Sequence, residues 1–338
     1  MVESILVTGG TGYIGSHACI ALIKAGYHVI IIDNLSNSSS NVLKRLNRIV
    51  GQTPQFIQGD IRDRSLLDRV FADNHITAVM HFAGLKSVGQ SVERPLAYYD
   101  NNVRGTIELL SAMEEANVRT FVFSSSATVY GDPESVPIRE DFARSATNPY
   151  GRSKVIVEDV LEDIYKSDPE WNIASLRYFN PVGAHPSGLI GEDPRGVPNN
   201  LMPYISQVAV GRREKLRVYG NDYPTPDGTG VRDYIHVMDL AEGHVSALRY
   251  CQEKGGMLTV NLGTGAGTSV LQVIHAFEKA SSRTIPYEIV ARRAGDIAQC
   301  WAEPGLAFTK LGWKATRGLA EMCEDSWRWQ SNNPEGIQ

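Results

Sequence analysis

The chain has 338 residues, of which 42% are hydrophobic and 21% charged, a balance typical of soluble globular proteins. A chain of this length is expected to form about two domains. The net charge of −5 argues against a broad surface for nucleic acid or anionic membranes, so we expect neither partner.

Cysteine usage and hydropathy indicate the cellular setting. Cys19, Cys251, Cys300 and Cys323 are far apart and show neither a CxxC pattern nor a metal-ligand spacing. Dispersed thiols suit a reducing compartment. A glycine-rich turn begins already at Gly9, and the longest apolar runs fall short of the ~20 residues of a membrane span. We therefore expect a cytoplasmic protein without signal peptide, membrane helix or metal site.

The first motif reads as strand, tight turn and helix. An apolar run at residues 5–7 precedes Gly9, Gly12 and Gly15, and an apolar-periodic segment follows at residues 14–22. In a dinucleotide-binding turn, the first glycine makes the turn, the second lets backbone approach a pyrophosphate and the third allows close helix packing. The N–H groups and dipole at the helix start favour that pyrophosphate.

A second predicted strand, residues 28–32, ends in Asp33. Its distance from the glycines is close to the ~20 residues at which such folds place an acid on the adenosine ribose. That carboxylate would accept both ribose hydroxyls and repel a 2′-phosphate, which favours NAD over NADP. The alternative is a strand-end turn with a solvated aspartate.

Strands and helices continue to alternate through the first half. Residues 55–60, 78–84 and 120–124 are predicted strands, and residues 42–49 and 103–116 are predicted helices. Repeated βα units predict an α/β fold with a doubly wound, parallel Rossmann-type sheet, whose ligands bind beyond the carboxyl ends of the strands. The residues at those ends are Asp33, Asp60, Ile61, Phe82, Ala83, Gly84, Lys86, Ser124, Ser125 and Ser126.

Tyr150 and Lys154 are four residues apart, so both share one face if this segment is helical. A tyrosine of pKa ~10 needs roughly 4 kcal/mol of anion stabilisation to act as a base at pH 7. A nearby ammonium and a cationic nicotinamide can supply it in a partly desolvated cleft. A serine hydroxyl can bond the reacting oxygen, but the pattern does not choose among Ser124, Ser125 and Ser126.

The second half differs in composition and is rich in glycine and proline from Asn180 onward. We predict an NAD-binding domain at residues 1–180 and a smaller α/β substrate domain at residues 181–338. Residues 258–262 can return to the first sheet. The glycine cluster at residues 263–267 is either a phosphate loop or a plain turn before a helix at residues 270–280.

The chain resembles the extended short-chain dehydrogenases/reductases and, within them, the UDP-glucose 4-epimerase family. The match runs essentially end to end, and the last three of its motifs are specific to the epimerase branch. The resemblance is carried by residues 8–17, 81–86, 99–102, 124–131, 150–154, 177–185, 198–204 and 228–236.

The resemblance implies a role for each site residue. Tyr150 would be the base, Lys154 would tune it and hold the nicotinamide ribose, and Ser126 would bridge the proton. The implied NAD contacts are Gly9, Gly12, Tyr13, Ile14, Gly15, Asp33, Asn34, Asp60, Ile61, Phe82, Ala83, Gly84, Lys86, Asn101, Ser124, Tyr150, Lys154 and Tyr178. The implied UDP-sugar contacts are Ser126, Asn180, Asn200, Leu201, Tyr219, Arg232, Arg293, Asp296 and Cys300.

The arginines also fit pyrophosphate chemistry, because a guanidinium suits a pyrophosphate. Without the resemblance, Arg232 and Arg293 would be read as surface residues in ion pairs. The resemblance further implies a homodimer.

The activity implied is reversible C4 epimerisation of UDP-glucose and UDP-galactose through a 4-keto intermediate, with NAD kept bound. Related sugar-nucleotide dehydratases carry acids just after the fifth strand, where this chain has Ala127 and Thr128. The alternatives are an epimerase serving mainly N-acetylated sugars, a sugar-nucleotide dehydratase or dehydrogenase, an ordinary NAD-dependent oxidoreductase, and an NAD-binding regulator without catalysis.

Cys300 bears on substrate range. Some members of the resembled family carry a bulky tyrosine at this position, beside the sugar, and others a small residue. A cysteine leaves room for an N-acetyl group at C2, so we expect activity on UDP-N-acetylglucosamine and UDP-N-acetylgalactosamine as well. The alternative is that Cys300 only packs.

Overall fold

The computed structural model describes residues 2–293 and 295–337. The strands are β1 (Ser4–Thr8), β2 (His28–Asp33), β3 (Gln55–Gln58), β4 (Ile76–His81), β5 (Thr120–Ser126), β6 (Asn172–Tyr178), β7 (Asn180–Val182), β8 (Leu216–Tyr219), β9 (Val231–His236), β10 (Met257–Leu262), β11 (Gly267–Ser269), β12 (Tyr287–Val290) and β13 (Gln299–Cys300). The helices are α1 (Tyr13–Lys24), α2 (Asn41–Val50), α3 (Arg64–Asp73), α4 (Val88–Glu93), α5 (Pro95–Tyr98), α6 (Gly105–Glu115), α7 (Pro149–Ser167), α8 (Leu201–Ala209), α9 (Val237–Lys254), α10 (Val270–Ser281), α11 (Gly305–Leu311) and α12 (Leu319–Asn332).

Seven parallel strands form the central sheet in the order β10–β6–β5–β4–β1–β2–β3. The chain runs outward from β1 in one direction through β2 and β3, and in the other through β4, β5 and β6. The strand order therefore reverses between β1 and β4, which opens a crevice beyond their carboxyl ends. The predicted doubly wound Rossmann-type α/β fold is confirmed.

Both faces of the sheet are covered by helices. Ile5 and Val7 of β1 pack on one side with α1, α2 and α9, whereas Leu6 points to the other side and packs with α3, α6 and α7. A parallel sheet buried on both faces needs strands that are almost entirely apolar, and β1 and β2 have that composition. This three-layer packing fixes the strand ends that form the site.

Part of the second half returns to the first sheet. Helix α9 packs on α1, and β10 pairs with β6 as an outermost strand of the sheet. The remaining elements form a separate apolar cluster from α8, β8, β9, α10 and α12, which includes Met202, Val218 and Phe277. The domain division at residues 180/181 stays a prediction.

The glycine cluster at residues 263–267 is a turn organised by an internal carboxylate. Asp233, fully buried in β9, accepts hydrogen bonds from the backbone N–H groups of Thr264 and Gly265 at 2.9 and 3.0 Å. A phosphate loop needs those N–H groups for its ligand. The structure therefore favours the plain turn, which leads through β11 into α10.

The four cysteines are free thiols: Cys19, Cys251 and Cys323 are buried and Cys300 is half-buried. Burial raises the pKa of Cys251 and Cys323 to about 12, so both stay protonated and inert at neutral pH. Within the residues that the structure describes, no helix combines the length and the apolar character needed to span a bilayer.

Candidate functional site

A cleft lies at the carboxyl ends of β1, β2 and β4. It brings together all the predicted NAD contacts except Asp60 and Ser124. The prediction missed further lining residues, which lie close to predicted positions in the chain: Ile32, Ser36, Asn37, Gly59 and Leu85. A crevice thus stands at the topological switch point, where such sheets bind ligands.

The glycine turn between β1 and α1 leaves no space for side chains. Gly9 has φ +69°, and a Cβ there would stand 2.7 Å from the backbone nitrogen of Ala83. A Cβ on Gly15 would stand 2.2 Å from the carbonyl oxygen of Gly9. Among the described residues, no side chain caps the start of α1 and no acid occupies its first turn. The turn therefore offers backbone N–H groups to an anion in the cleft.

Of the two aspartates predicted to hold adenosine, only Asp33 lines the cleft. Asp33 accepts from the N–H of Thr11 at 3.1 Å and from the N–H of Leu35 at 2.9 Å, which shapes the loop after β2. Asp60 is held by Arg62 at 2.8 Å, and this hydrogen bond lowers the pKa of its carboxyl well below the usual range. Strand β3 ends at Gln58, two residues earlier than predicted, so Asp60 lies in a loop.

Tyr150 and Lys154 stand together in the cleft wall, as the i, i+4 spacing predicted. Helix α7 begins just before them, because the side chain of Asn148 accepts from the N–H of Gly151 at 2.9 Å and Pro149 occupies the first turn. The Lys154 ammonium donates to the carbonyl oxygen of Ser124 at 2.8 Å. The helix start thus fixes both side chains at the carboxyl end of β5.

Burial shifts both groups toward their neutral forms. It raises the pKa of Tyr150 well above its ordinary value, a shift that the Ser126 hydroxyl opposes. It also lowers the pKa of Lys154 to about 8, opposed by the charge of Glu158. At neutral pH Lys154 remains charged, whereas the phenol needs further anion stabilisation to act as a base.

The three serines at the end of β5 have separate environments. Ser125 donates to Glu158 at 2.6 Å, so its hydroxyl proton is already used in a buried hydrogen bond. Ser124 supplies the carbonyl oxygen that holds Lys154. The Ser126 hydroxyl accepts from the N–H of Thr128 and lies beside the Tyr150 phenol. Of the three serines, this geometry favours Ser126 as the one that bonds the reacting oxygen. Ser126 itself lines neither of the two clefts.

A buried ion pair supports α7 beneath these residues, and the sequence interpretation missed it. Glu158 accepts from Arg177 at 2.7 Å and also from Ser125 and Arg144. The side chains of Glu158 and Arg177 are only 2% and 6% exposed. Glu158 is four residues after Lys154, so the same i, i+4 spacing that relates Tyr150 to Lys154 could have indicated it.

A second missed feature is a π-helix at Tyr99–Arg104, where an ordinary helix from residue 103 was predicted. Asn102 in this π-turn accepts from the N–H of Leu85 at 2.8 Å and donates to the Leu85 carbonyl and to Ser153 at 3.0 Å each. Asn102 thereby ties the loop after β4 to the start of α7. π-turns often occur at functional sites, and this one carries Asn101 into the cleft wall.

A second cleft is formed by β7, β8, β9 and α8. Arg293 pairs with Asp296 at 3.1 Å and stands 5.2 Å from the Tyr219 ring. Arg293 therefore forms an ion pair, as the alternative interpretation expected, and both partners line the cleft. This cleft gathers seven of the predicted UDP-sugar contacts: Asn180, Asn200, Leu201, Tyr219, Arg232, Arg293 and Asp296.

The comparisons with known proteins decide the family. UDP-glucose 4-epimerases of Bacillus subtilis and Yersinia pestis are 60% and 59% identical to this chain, covering 99% and 98% of both chains. The chain belongs to the UDP-glucose 4-epimerase family. The broader family model that matches it, at residues 6–326, is described as GDP-mannose 4,6 dehydratase.

Solved UDP-glucose 4-epimerase structures share the whole fold. The enzyme of Stenotrophomonas maltophilia, with bound NAD and formylated UDP-arabinopyranose, has a TM-score of 0.97 at 52% identity and covers 98% of this chain and 99% of its own. The enzyme of Bifidobacterium longum, with NAD⁺ and UDP, has a TM-score of 0.96 at 53% identity, covering 99% and 100%. The architecture seen here is thus that of the epimerase family.

Cys300, on which the predicted substrate range depends, lies in β13 beside Arg232 of β9. It packs against the cluster of Val129, Phe179 and Ala302 and is half-buried. It is not part of the wall of either cleft described here. The structure therefore places Cys300 next to a predicted UDP-sugar contact, and its effect on substrate range stays a prediction.

Proposed function

We propose that this protein catalyses the reversible C4 epimerisation of UDP-glucose and UDP-galactose, with NAD kept in the first cleft and the UDP moiety held in the second. One observation carries the proposal. Tyr150 and Lys154 stand in the same cleft wall as the glycine turn, and Glu192 links that cleft to the second by accepting from both Lys86 and Asn200.

The first cleft fits NAD on the chain's own geometry. The turn at Gly9 excludes side chains, the start of α1 presents N–H groups to a pyrophosphate, and Asp33 stands where an adenosine ribose would lie. A bound NAD⁺ would supply the acceptor for the hydride that leaves C4 of the sugar, and its reduced form would supply that hydride for return to the opposite face.

The chain's residues handle the proton. Tyr150 removes the proton of the sugar 4′-hydroxyl and later returns it, and Ser126 bridges the phenol to the sugar oxygen. The Lys154 ammonium, fixed by the Ser124 carbonyl, favours the phenolate electrostatically. Arg232 and Arg293 bind the UDP moiety while the 4-keto sugar rotates in the site and presents its other face to the cofactor.

A dehydratase would need an acid directly after β5 for the elimination step, and this chain has none at those positions. The positions directly after β5 are Ala127 and Thr128, in a 3₁₀ turn at Ala127–Tyr130. Neither side chain can act as an acid or base at neutral pH. The chain therefore fits the activity of its epimerase relatives better than the dehydratase activity in the description of the broad family model.

The proposal is tested by incubating the purified protein with UDP-galactose and no added cofactor, and following the sugar by NMR. We expect UDP-glucose to accumulate to equilibrium without net NADH. A requirement for stoichiometric NAD, with NADH released, would instead make the protein an ordinary oxidoreductase. An inert sample that nevertheless binds NAD would support the regulator alternative.

The pH profile should reflect Lys154. Because burial lowers the pKa of this lysine to about 8, its ammonium is lost as the pH rises through about 8. We expect kcat to fall above this pH, since the phenolate then loses its neighbouring positive charge. Measuring kcat from pH 6 to 10 tests this, with Lys154→Arg as the variant that stays charged. A flat wild-type profile to pH 10 would contradict it.

We extend the proposal to N-acetylated substrates, because Cys300 neighbours the predicted UDP-sugar contact Arg232 and has less bulk than a tyrosine at the same position. The wild-type protein should interconvert UDP-N-acetylglucosamine and UDP-N-acetylgalactosamine. Cys300→Tyr should lose this activity by roughly tenfold or more, equivalent to about 1.4 kcal/mol or more of steric exclusion, while UDP-galactose still turns over. NMR of each substrate measures this. A wild-type protein that turns over UDP-galactose but leaves UDP-N-acetylglucosamine unchanged refutes the extension.

We also propose a cytoplasmic homodimer. The free thiols suit a reducing compartment. Leu96 on α5 and Ile107 on α6 expose 81% and 43% of their surface, and helices packed across a two-fold axis would cover such apolar side chains. Light scattering of the purified protein tests the assembly, since a monomer mass at micromolar concentration would contradict it.

A further inference from the structure

Residues 192–200 follow β7 in the chain and lead into α8. All of them are described by the structure, and they form neither helix nor strand. Their contacts reach both sides of the first cleft. The segment is called the strap below.

On one side, the strap contacts the loop after β2. The Arg195 guanidinium donates to the backbone carbonyl oxygens of Ser36 and Ser38, the first of these at 3.2 Å. Ser36 lines the cleft, and the Ser38 hydroxyl donates to Asp33. Arg195 thus fastens the strap to the loop that follows the predicted adenosine contact Asp33 and carries the predicted NAD contact Asn34.

On the other side, the strap contacts the loop after β4. Glu192 accepts from the Lys86 ammonium at 3.1 Å, and Asn199 donates to the Ser87 hydroxyl at 3.3 Å. Only 9% of the Glu192 side chain is exposed. Trp329 of α12 donates to the Glu192 carbonyl and so anchors the strap to the body of the protein.

The sheet topology relates these two sets of contacts. Strands β2 and β4 flank β1 in the sheet, so their following loops lie on either side of the glycine turn. The strap therefore joins the loops that follow β2 and β4, through Arg195 on one side and through Glu192 and Asn199 on the other.

We propose that Arg195 and Glu192 are positioning residues for the cofactor. They hold the strap across the cleft and thereby slow the release of the dinucleotide between turnovers. This rests on the proposed function, because it takes NAD as the occupant. Neither residue takes part in the proton transfer.

The test compares Arg195→Ala with the purified wild-type holoenzyme. Bound NAD is chased with excess radiolabelled NAD, and the exchange rate is measured directly. We expect about tenfold faster exchange in the variant, the change for lost hydrogen bonds worth about 1.4 kcal/mol in total. With saturating NAD, kcat should match wild type, whereas at low NAD activity should become dependent on added cofactor.

Arg212→Ala is the matched control, because Arg212 is also exposed and donates to a backbone carbonyl, that of Pro334 at 3.2 Å. It should leave NAD exchange unchanged. Arg195→Lys should restore part of the retention, and Glu192→Gln should also speed exchange.

The outcomes separate the two claims. Arg195→Ala that exchanges NAD at the wild-type rate overturns the strap proposal alone. A wild-type protein that binds no NAD overturns the proposed function, and the strap proposal with it.

Discussion

Replacing Tyr150 with phenylalanine should lower kcat for UDP-galactose by about 10²–10⁴-fold, the range for loss of a general acid–base group. The phenol stands in the cleft wall beside Ser126, and a phenyl ring keeps the shape of the site while removing the hydroxyl. Bound NAD and UDP affinity should therefore be retained. Steady-state kinetics with calorimetric UDP titration separates these quantities.

The matched control is Tyr165→Phe, the same substitution on the same helix but outside both clefts. It should leave kcat close to wild type. Tyr150→Phe that turns over at the wild-type rate would remove the assigned base, although the fold and the cofactor cleft would stand.

Replacing Glu158 with alanine should lower the free energy of unfolding by about 3–5 kcal/mol. The carboxylate pairs with Arg177 at 2.7 Å, and both side chains are almost fully buried. Its removal leaves the guanidinium uncompensated in the protein interior. Urea denaturation followed by circular dichroism measures the change.

Asp163→Ala controls for the loss of an ion pair on the same helix. Asp163 pairs with Lys166 at 3.2 Å, but its side chain is 78% exposed, so the expected change is at most about 1 kcal/mol. Equal and small losses for the two variants would show that the Glu158 pair does not stabilise α7. In that case, the positioning of Tyr150 and Lys154 would need another explanation.

Local patterns predicted the first cleft well. Gly9, Gly12, Gly15 and Asp33 follow a fixed fingerprint within the segment from β1 through α1 to the end of β2, and the structure brings them into one wall. A parallel sheet aligns the ends of its strands, so residues far apart in the chain could be placed together from element order alone.

The second cleft could be predicted only through the resemblance. Asn180 in β7, Arg232 in β9 and Arg293 in a loop are more than a hundred residues apart at the extremes, and no local period relates them. These residues come close together because α8, β8 and β9 pack around one apolar cluster. Taken alone, each of these residues looks like an ordinary surface residue.

The partners of the long-range polar contacts could not be predicted from local spacing, even where the spacing from Lys154 could have indicated Glu158 itself. Glu158 meets Arg177 across a helix–strand interface, and Arg195 meets the loop after β2 through a segment without regular structure. Such pairs depend on side-chain geometry in the folded protein. Hydrophobic periodicity carries no information about them.

The central claim is that hydrogen leaves C4 of the sugar and returns to the same carbon on the opposite face. Incubating the purified protein with UDP-galactose deuterated at C4, in ordinary water and without added NAD, tests it most directly. The account predicts that the UDP-glucose formed keeps deuterium at C4, as seen by NMR and mass spectrometry. Loss of the label to solvent during turnover would show that C4 is deprotonated instead, and would contradict the account.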